Sequence, residues 1–497
     1  MISITRMSAA MGLAAALSAM TATQGWAVAP PVGVSDPGVR GGQSYAGGPL
    51  EGLSAADTAL FFQGWERFKQ TYSVSGTFET GAGLGPTFNA IGCSQCHAQP
   101  SAGGSSTSPA SPQVRRVVLH GDRLALDVQP NPQTALGSLH RLPNAEQPVP
   151  SFITRDGPIR VARFIRKPDG TPDGEVHALY TISGRTDAPG CDLAPPDFAD
   201  EMAAQNVVFR VPSATFGAGL VEAVTDPALE SNLRLTGPRR AALGISGHFN
   251  RASDGKISRF GWKAQSESIL TFSAEAHNVE IGATNEVYPH KRNSAVDCGG
   301  SMSDPAAGVQ TDSAPTAAPK EGASESYTQD SSEVTGFVNF LRLSAPPQAT
   351  THTDSERAGQ GFFGKVGCDL CHSATLQTGQ SDIEPLSGVT FHPYSDFALH
   401  RMGPALADHV SQGVATGDEF RTAPLWGVGQ RIFFLHDGRT TDLLVAIQAH
   451  ASQTPNCLEH QNPKKERCES EANAVIRNFD ALSASQRQNI LDFLRSL

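Results

Sequence analysis

The chain has 497 residues, 39% hydrophobic and 18% charged, with 49 glycines and 34 prolines. This length exceeds one ordinary domain, and the Gly and Pro surplus excludes a plain helical bundle in favour of a regular core set in long loops. Its 38 basic and 49 acidic residues give a formal charge of −11 with no basic run, which excludes a nucleic-acid surface and suits a basic protein partner.

The first 27 residues read as a signal peptide. Arg6 precedes an uncharged stretch from Met7 to Met20, and Gly25-Trp26-Ala27 supplies a small-x-small cleavage site. Cutting after Ala29 is disfavoured by Pro30. The apolar run is too short to span a bilayer and no later segment is long enough, so the expectation is export to the periplasm without a membrane span.

An amphipathic helix follows, opened by a capping pair, Ser54 and Asp57, and carrying Gly64-Trp65-Glu66-Arg67-Phe68. A glycine and an aromatic four residues apart share one helix face, and the glycine admits a second helix. Next stands Cys93-Ser94-Gln95-Cys96-His97. Two thiols one helical turn apart can each add to a haem vinyl group, and the adjoining histidine then faces the iron. A redox pair does not need the histidine, and a zinc site would need further ligands.

From about residue 98 to 207 the chain is rich in Pro, Gly and β-formers, such as Val117-Val118-Leu119 and Ala178 to Ile182, predicting loops and small β-ribbons. Residues 299–332 are Ser/Ala/Pro-rich and predict a long surface loop. Val338 to Arg342 predicts a closing helix, and Pro346-Pro347 a linker. The pattern then repeats: Gly359 to Phe363, Cys368-Asp369-Leu370-Cys371-His372, and a closing helix at Leu491 to Arg495. The expected fold is mainly α: two cytochrome c-like domains, 28–345 and 346–497, with loop- and β-rich insertions in the N-terminal one. Each carries one covalently bound haem c, on Cys93, Cys96 and His97 and on Cys368, Cys371 and His372.

Four further cysteines suit an oxidising compartment. Cys457 and Cys468 flank a short polar segment and can close a small loop, leaving Cys191 and Cys298; free thiols are the alternative. For the sixth ligand of the second iron there are three candidates. His450 shares a helix face with Leu443 and Ile447, Met402 offers a thioether, and His400 comes third. For the first iron, His120, His177 and an open position stand level.

At this point the motifs resemble a known family. Gly83 to Asn89, Arg259 to Ala264, Arg421 to Gly427 and His436 to Arg439 are similar to blocks of the bacterial di-haem oxidoreductases, within the di-haem cytochrome c peroxidase superfamily. The resemblance runs from about residue 60 to the C-terminus. It implies a distal ligand fourteen residues beyond His436, which is His450, ahead of Met402. It implies that Glu280 is the catalytic acid over the first haem, with Glu222 as a fallback. It puts Lys263 beside a propionate and Phe260 between the haems, with Trp262 close by. Leu270 stands where the family has Gln, a departure from ordinary peroxidase chemistry. Relatives carry calcium between the domains, but no ligand set for it stands out here.

The expected function is a periplasmic di-haem redox enzyme, peroxidase-like, that takes hydrogen peroxide or another small oxidant and electrons from an electron-transfer protein. Dioxygen chemistry on an organic substrate is a second reading. A non-catalytic electron-transfer protein with both irons six-coordinate is a third.

Overall fold

The computed structural model describes residues 33–76, 81–106, 158–182, 187–188, 191, 193, 196–288, 333–350, 352–452 and 469–497. The expected signal peptide, the 117–119 ribbon, the 299–332 loop, His120, Cys298, Cys457 and Cys468 lie outside the described residues. Cys191 is disulfide-bonded, and its expected partner Cys298 is among those outside.

Among the described residues are α1 (Ala55–Lys69), α2 (Cys93–Cys96), α3 (Phe198–Ala203), α4 (Ala218–Glu222), α5 (Asp226–Ala242) and α6 (Ile269–Glu280). They continue with α7 (Glu333–Leu343), α8 (Asp354–Val366), α9 (Leu443–Gln448), α10 (Asn473–Asp480) and α11 (Ala484–Ser496). The strands are short. Val161–Phe164 runs antiparallel to both Val176–His177 and Val207–Arg210, and Tyr180–Thr181 pairs with Thr87–Phe88. The strands from Val161 to Thr181 fall where the sequence predicts β-formers after the first C-x-x-C-H, whereas Thr87–Phe88 precedes that motif. No helix among the described residues is long and apolar enough to cross a membrane.

The two G-x-x-x-F helices do the same job twice. In α1, started by the Ser54 side chain accepting from the Asp57 amide, a β-carbon on Gly64 would overlap the Gly336 carbonyl of α7. In α8, started by a Thr353/Glu356 capping box, a β-carbon on Gly359 would overlap the Asn489 carbonyl of α11. Each glycine therefore lets its helix approach the closing helix at backbone distance. One turn on, Phe68 lies 4.6 Å from Phe340, and Phe363 lies 5.6 Å from Phe493, between ring centres. The same phenylalanines reach the two motif histidines: Phe68 stands 6.1 Å from His97, and Phe363 stands 6.3 Å from His372.

Two hydrophobic cores form around these crossings. Phe61, Phe68, Tyr72, Phe88, Tyr180 and Phe340 centre the first, which also takes Leu376 and Phe391 from beyond residue 346. Phe363, Phe479, Leu491 and Phe493 centre the second, which also takes Val34 and Ile245 from before it. Fully burying each such large apolar side chain stabilises by about 1.5–3 kcal/mol. The segment that starts at residue 33 reinforces the second core: Asp36 ion-pairs with Arg495 at 2.5 Å, and the Arg40 amide donates to the Gly429 carbonyl at 2.8 Å. Packing thus crosses the expected boundary at 345 in both directions.

Candidate haem-binding sites

The second C-x-x-C-H begins where α8 ends. Gly367 has φ of 105°, a left-handed cap that turns the chain into the Cys368–Leu370 3₁₀ turn. The His372 amide donates to the Cys368 carbonyl at 2.9 Å, so histidine and first cysteine are held together. Burial, with Cys371 beside it, pushes the Cys368 thiol up to about 12. At the first motif α2 makes the same single turn, and the His97 amide donates to the Cys93 carbonyl at 3.0 Å. Burial, with the Glu280 carboxylate nearby, pushes Cys93 up to about 12 and Cys96 upward as well. Neutral thiols in apolar walls are the opposite of a redox C-x-x-C, whose reactive cysteine is lowered.

Three histidines share one disposition. His97 Nδ1 is 3.0 Å from the Gly104 carbonyl, His372 Nδ1 is 3.0 Å from the Tyr394 carbonyl, and His450 Nδ1 is 2.8 Å from the Ala446 carbonyl. A carbonyl only accepts, so each Nδ1 carries the proton and each Nε2 keeps the lone pair a metal needs. His372 and His450 line one cavity of about 1400 Å³ of atom-free space, its mouth included, with Cys368, Cys371, Phe363, Leu443, Ala446 and Ile447. Burial, with the His450 ring next in effect, lowers His372 to about 4. An apolar cleft with two thiols on its wall and two ring nitrogens with free lone pairs fits a covalently held haem. Helix α9 presents His450 because the Asp442 side chain caps it, accepting from the Leu444 and Val445 amides.

Met402 lines the same cavity. His400 lines it too, but both its ring nitrogens are committed. Nδ1 meets Glu471 at 2.9 Å and Nε2 meets Asp396 at 3.0 Å, and Asp396 also binds Arg240 at 3.0 Å. His400 is therefore part of a buried ionic cluster with no lone pair to spare.

Around the first motif two sequence blocks meet. The Gly85 amide donates to the Ile281 carbonyl at 3.0 Å, and the Asn89 amide donates to the Glu280 carbonyl at 2.7 Å. A β-carbon on Gly85 would overlap Gly282. The Gly83–Asn89 loop is thereby pinned to the end of α6, which sets Glu280 close enough to Cys93 and Cys96 for its charge to raise both thiols. His277, one turn before Glu280 on α6, is buried between Tyr72 and Phe337, with ring centres 5.8 and 5.4 Å away. Its i, i−3 spacing from Glu280 was the signal that could have marked it. Leu270, at the other end of α6, packs on the first core.

Other expected roles fall differently. Glu222 accepts from the Ile269 amide at 2.8 Å with one oxygen and from Arg342 at 2.7 Å with the other, so it ties α4, α6 and α7 together rather than serving as a spare acid. His177 Nε2 is held by Asp173 at 3.0 Å, and its ring stacks on Phe164 at 3.7 Å. Lys263, expected beside a propionate, is fully buried. It pairs with Asp408 at 3.1 Å and donates to the Thr416 and Gly417 carbonyls at 2.8 and 3.1 Å, which uses all three N–H bonds. Phe260 packs towards Phe272 in the first core, 6.2 Å between ring centres. Trp262 instead lines the His372 cavity and also a smaller cleft formed with Gln99, Pro100 and Ser105, just after His97. Its Nε1 donates to the Val211 carbonyl at 2.8 Å, which fixes the ring. Trp262, rather than Phe260, is the aromatic that lines both clefts.

Residues 198–497 match the family model described as "Di-haem oxidoreductase, putative peroxidase". The chain belongs to the di-haem oxidoreductase family. The matched residues hold the second C-x-x-C-H, α6 with Glu280, and His450, while the first C-x-x-C-H lies upstream of them. No curated protein matches this di-haem oxidoreductase. Among solved structures it is similar to a MauG-like protein associated with microbial copper homeostasis, at 15% identity and a TM-score of 0.22. That likeness covers 33% of this chain and about half of the other, 52%. Among the described residues no group of three or more His, Cys, Asp or Glu side chains converges to hold a further metal such as calcium.

Proposed function

We propose that this di-haem oxidoreductase is an exported, periplasmic peroxidase-like enzyme with two covalent haem c groups arranged as two cytochrome c-like domains. The haem on Cys93, Cys96 and His97 is the reactive one, and the haem on Cys368, Cys371 and His372 relays electrons. The observation that carries the reading is an asymmetry. At the second site two histidines, His372 and His450, line one cavity with Nε2 of each unprotonated. At the first site the side chain whose charge reaches both thiols is the Glu280 carboxylate.

Bound haem supplies the redox-active iron at each site. His97 and His372 would each hold an iron through Nε2, with Nδ1–H anchored on the Gly104 and Tyr394 carbonyls so that each ring keeps its orientation. His450 would be the second protein donor to the iron held by His372, and Met402 is the alternative donor on the same wall. The Glu280 carboxyl would accept and donate a proton, the task of a general acid–base group, for an oxidant bound at the first haem, which would supply the electrons. Trp262, held by the Val211 carbonyl, lines both clefts and would offer an aromatic route between them. The chain's charge of −11 favours a basic electron-transfer protein as donor by steering.

Electron paramagnetic resonance of the purified ferric protein tests this directly. One high-spin and one low-spin signal, with the high-spin species responding to hydrogen peroxide, is the expected result. Two low-spin irons indifferent to peroxide would leave a plain electron-transfer protein.

A further inference from the structure

Most buried cations among the described residues come with anions, and Arg163, which has none, spends its Nη1 on the Gly174 carbonyl at 2.6 Å. Arg210 and Lys263 share Asp408, Arg240 has Asp396, Arg259 has Asp226 and Arg495 has Asp36. Arg421 and Arg431 have no ion pair among the described residues. Arg421 is buried and spends its donors on the Gly261 carbonyl at 2.8 Å and the Thr422 carbonyl at 3.2 Å. Arg431 has Nε and Nη2 covered and without any acceptor, and its guanidinium lies 5.7 Å from the Trp262 ring centre. The carboxylate whose charge reaches Arg421, Asp396, is already held by His400 and Arg240.

A buried and a half-buried guanidinium therefore stand near each other with no ion pair of their own among the described residues. Burial holds both guanidiniums at about 10, and for Arg421 the charge of Arg431 adds to the effect. Each buried ion costs several kcal/mol unless an anion arrives. Both arginines line the His372 cavity and the smaller cleft beyond Trp262, so they stand between that cavity and the cleft beside Gln99, Pro100 and Ser105. What fits is an anion that enters with the occupant of the cavity, and a haem carries two carboxylates on its edge. Arginine suits them because its planar fork binds a carboxylate bidentately.

We propose that Arg421 and Arg431 are the propionate anchors of the second haem, set beside Trp262, in the role that Lys263 does not fill. This rests on the reading of Cys368 and Cys371 as haem attachment points. It makes the arginines positioning residues that also tune the second iron, since a nearby cation favours the reduced state.

The test is spectroelectrochemical titration with resonance Raman spectroscopy of the two-haem protein and its Arg431→Leu, Arg421→Leu and Arg431→Lys variants. The Leu variants are expected to lower the potential of the low-spin haem and to shift its propionate-bending band. Arg431→Lys is expected to keep the potential near wild type but still shift the band, because the charge remains and the fork is gone. Unchanged potential and band in the Leu variants would overturn the proposal. If those variants fail to fold, an unchanged band in Arg431→Lys overturns it alone. Haem staining of the denatured wild-type protein separates the two levels: fewer than two attached haems defeats the underlying reading, whereas two attached haems with unmoved bands defeats only the arginine assignment.

Discussion

Gly359 lies directly against the backbone carbonyl of Asn489, so that a β-carbon at 359 would overlap it. Two positions further along the same helix, Gly361 has nothing within 4 Å of where its β-carbon would stand. The pair gives a contrast within a single helix. Gly359→Ala is expected to destabilise by about 1–3 kcal/mol through overpacking. Gly361→Ala should be neutral or stabilise by up to about 1 kcal/mol, since alanine is the better helix former. Thermal unfolding of both variants checks this, and equal midpoints would mean that the crossing does not depend on the glycine.

Asp408 serves two cations at once, Arg210 at 2.6 Å and Lys263 at 3.1 Å, and all three are buried. Asp408→Asn strands two positive charges and is expected to cost about 3–5 kcal/mol. Burial alone would raise the Asp408 carboxyl, but Arg210 and Lys263 outweigh it and hold it at about 2. Glu471 is likewise held at about 2, against its burial, by His400. Both folded values lie below the unfolded ones, so their stabilisation is complete above about pH 4–5 and is lost as pH falls towards 2. Unfolding midpoints measured from pH 7 down to 2 should decline over that window. The Asn variant should start lower and decline less, and curves that run parallel would contradict the assignment.

What the sequence made legible was local. G-x-x-x-F placed Gly64 and Gly359 at helix crossings, the C-x-x-C-H runs placed their cysteines on single turns, and the spacing of Leu443, Ile447 and His450 put the histidine on the cavity wall. What it hid was pairing across the chain. His400 looks like a ligand until Glu471, 71 residues away, takes its second nitrogen. Glu222 looks like a spare acid until Arg342 arrives from 120 residues on. Phe260 and Trp262 sit two residues apart in one turn, and only the turn's path decides which faces both clefts. Arg431 carries no local mark, because its significance is that no ion pair reaches it among the described residues.

His450 and Met402 line the same cavity, and optical spectra can choose between them. His450→Ala is expected to convert the low-spin signal to a high-spin or water-ligated one. Met402→Ala should leave a bis-histidine spectrum intact and lack any thioether charge-transfer band to lose. The reverse pattern transfers the ligand role to Met402. His400→Ala serves as a control. It should lower stability, because Asp396 and Glu471 lose their shared partner, without changing the iron spectrum.

Glu280 and Glu222 allow a chemical role to be separated from a structural one. Each carboxylate ends a helix, but Glu222 has each oxygen occupied, by the Ile269 amide and by Arg342. Glu280 touches the loop before Cys93 through its backbone carbonyl, which a side-chain substitution keeps. Glu280→Gln should therefore fold normally and preserve both haem spectra, while slowing the peroxide reaction by about 10²–10⁴-fold, the usual contribution of a positioned acid–base group. Glu222→Gln should instead lower the unfolding midpoint and leave the per-molecule rate close to wild type. Stopped-flow mixing with hydrogen peroxide, alongside thermal unfolding, measures both quantities. A wild-type rate in Glu280→Gln removes that residue from the chemistry. A large rate loss in Glu222→Gln at unchanged stability would transfer the role to it.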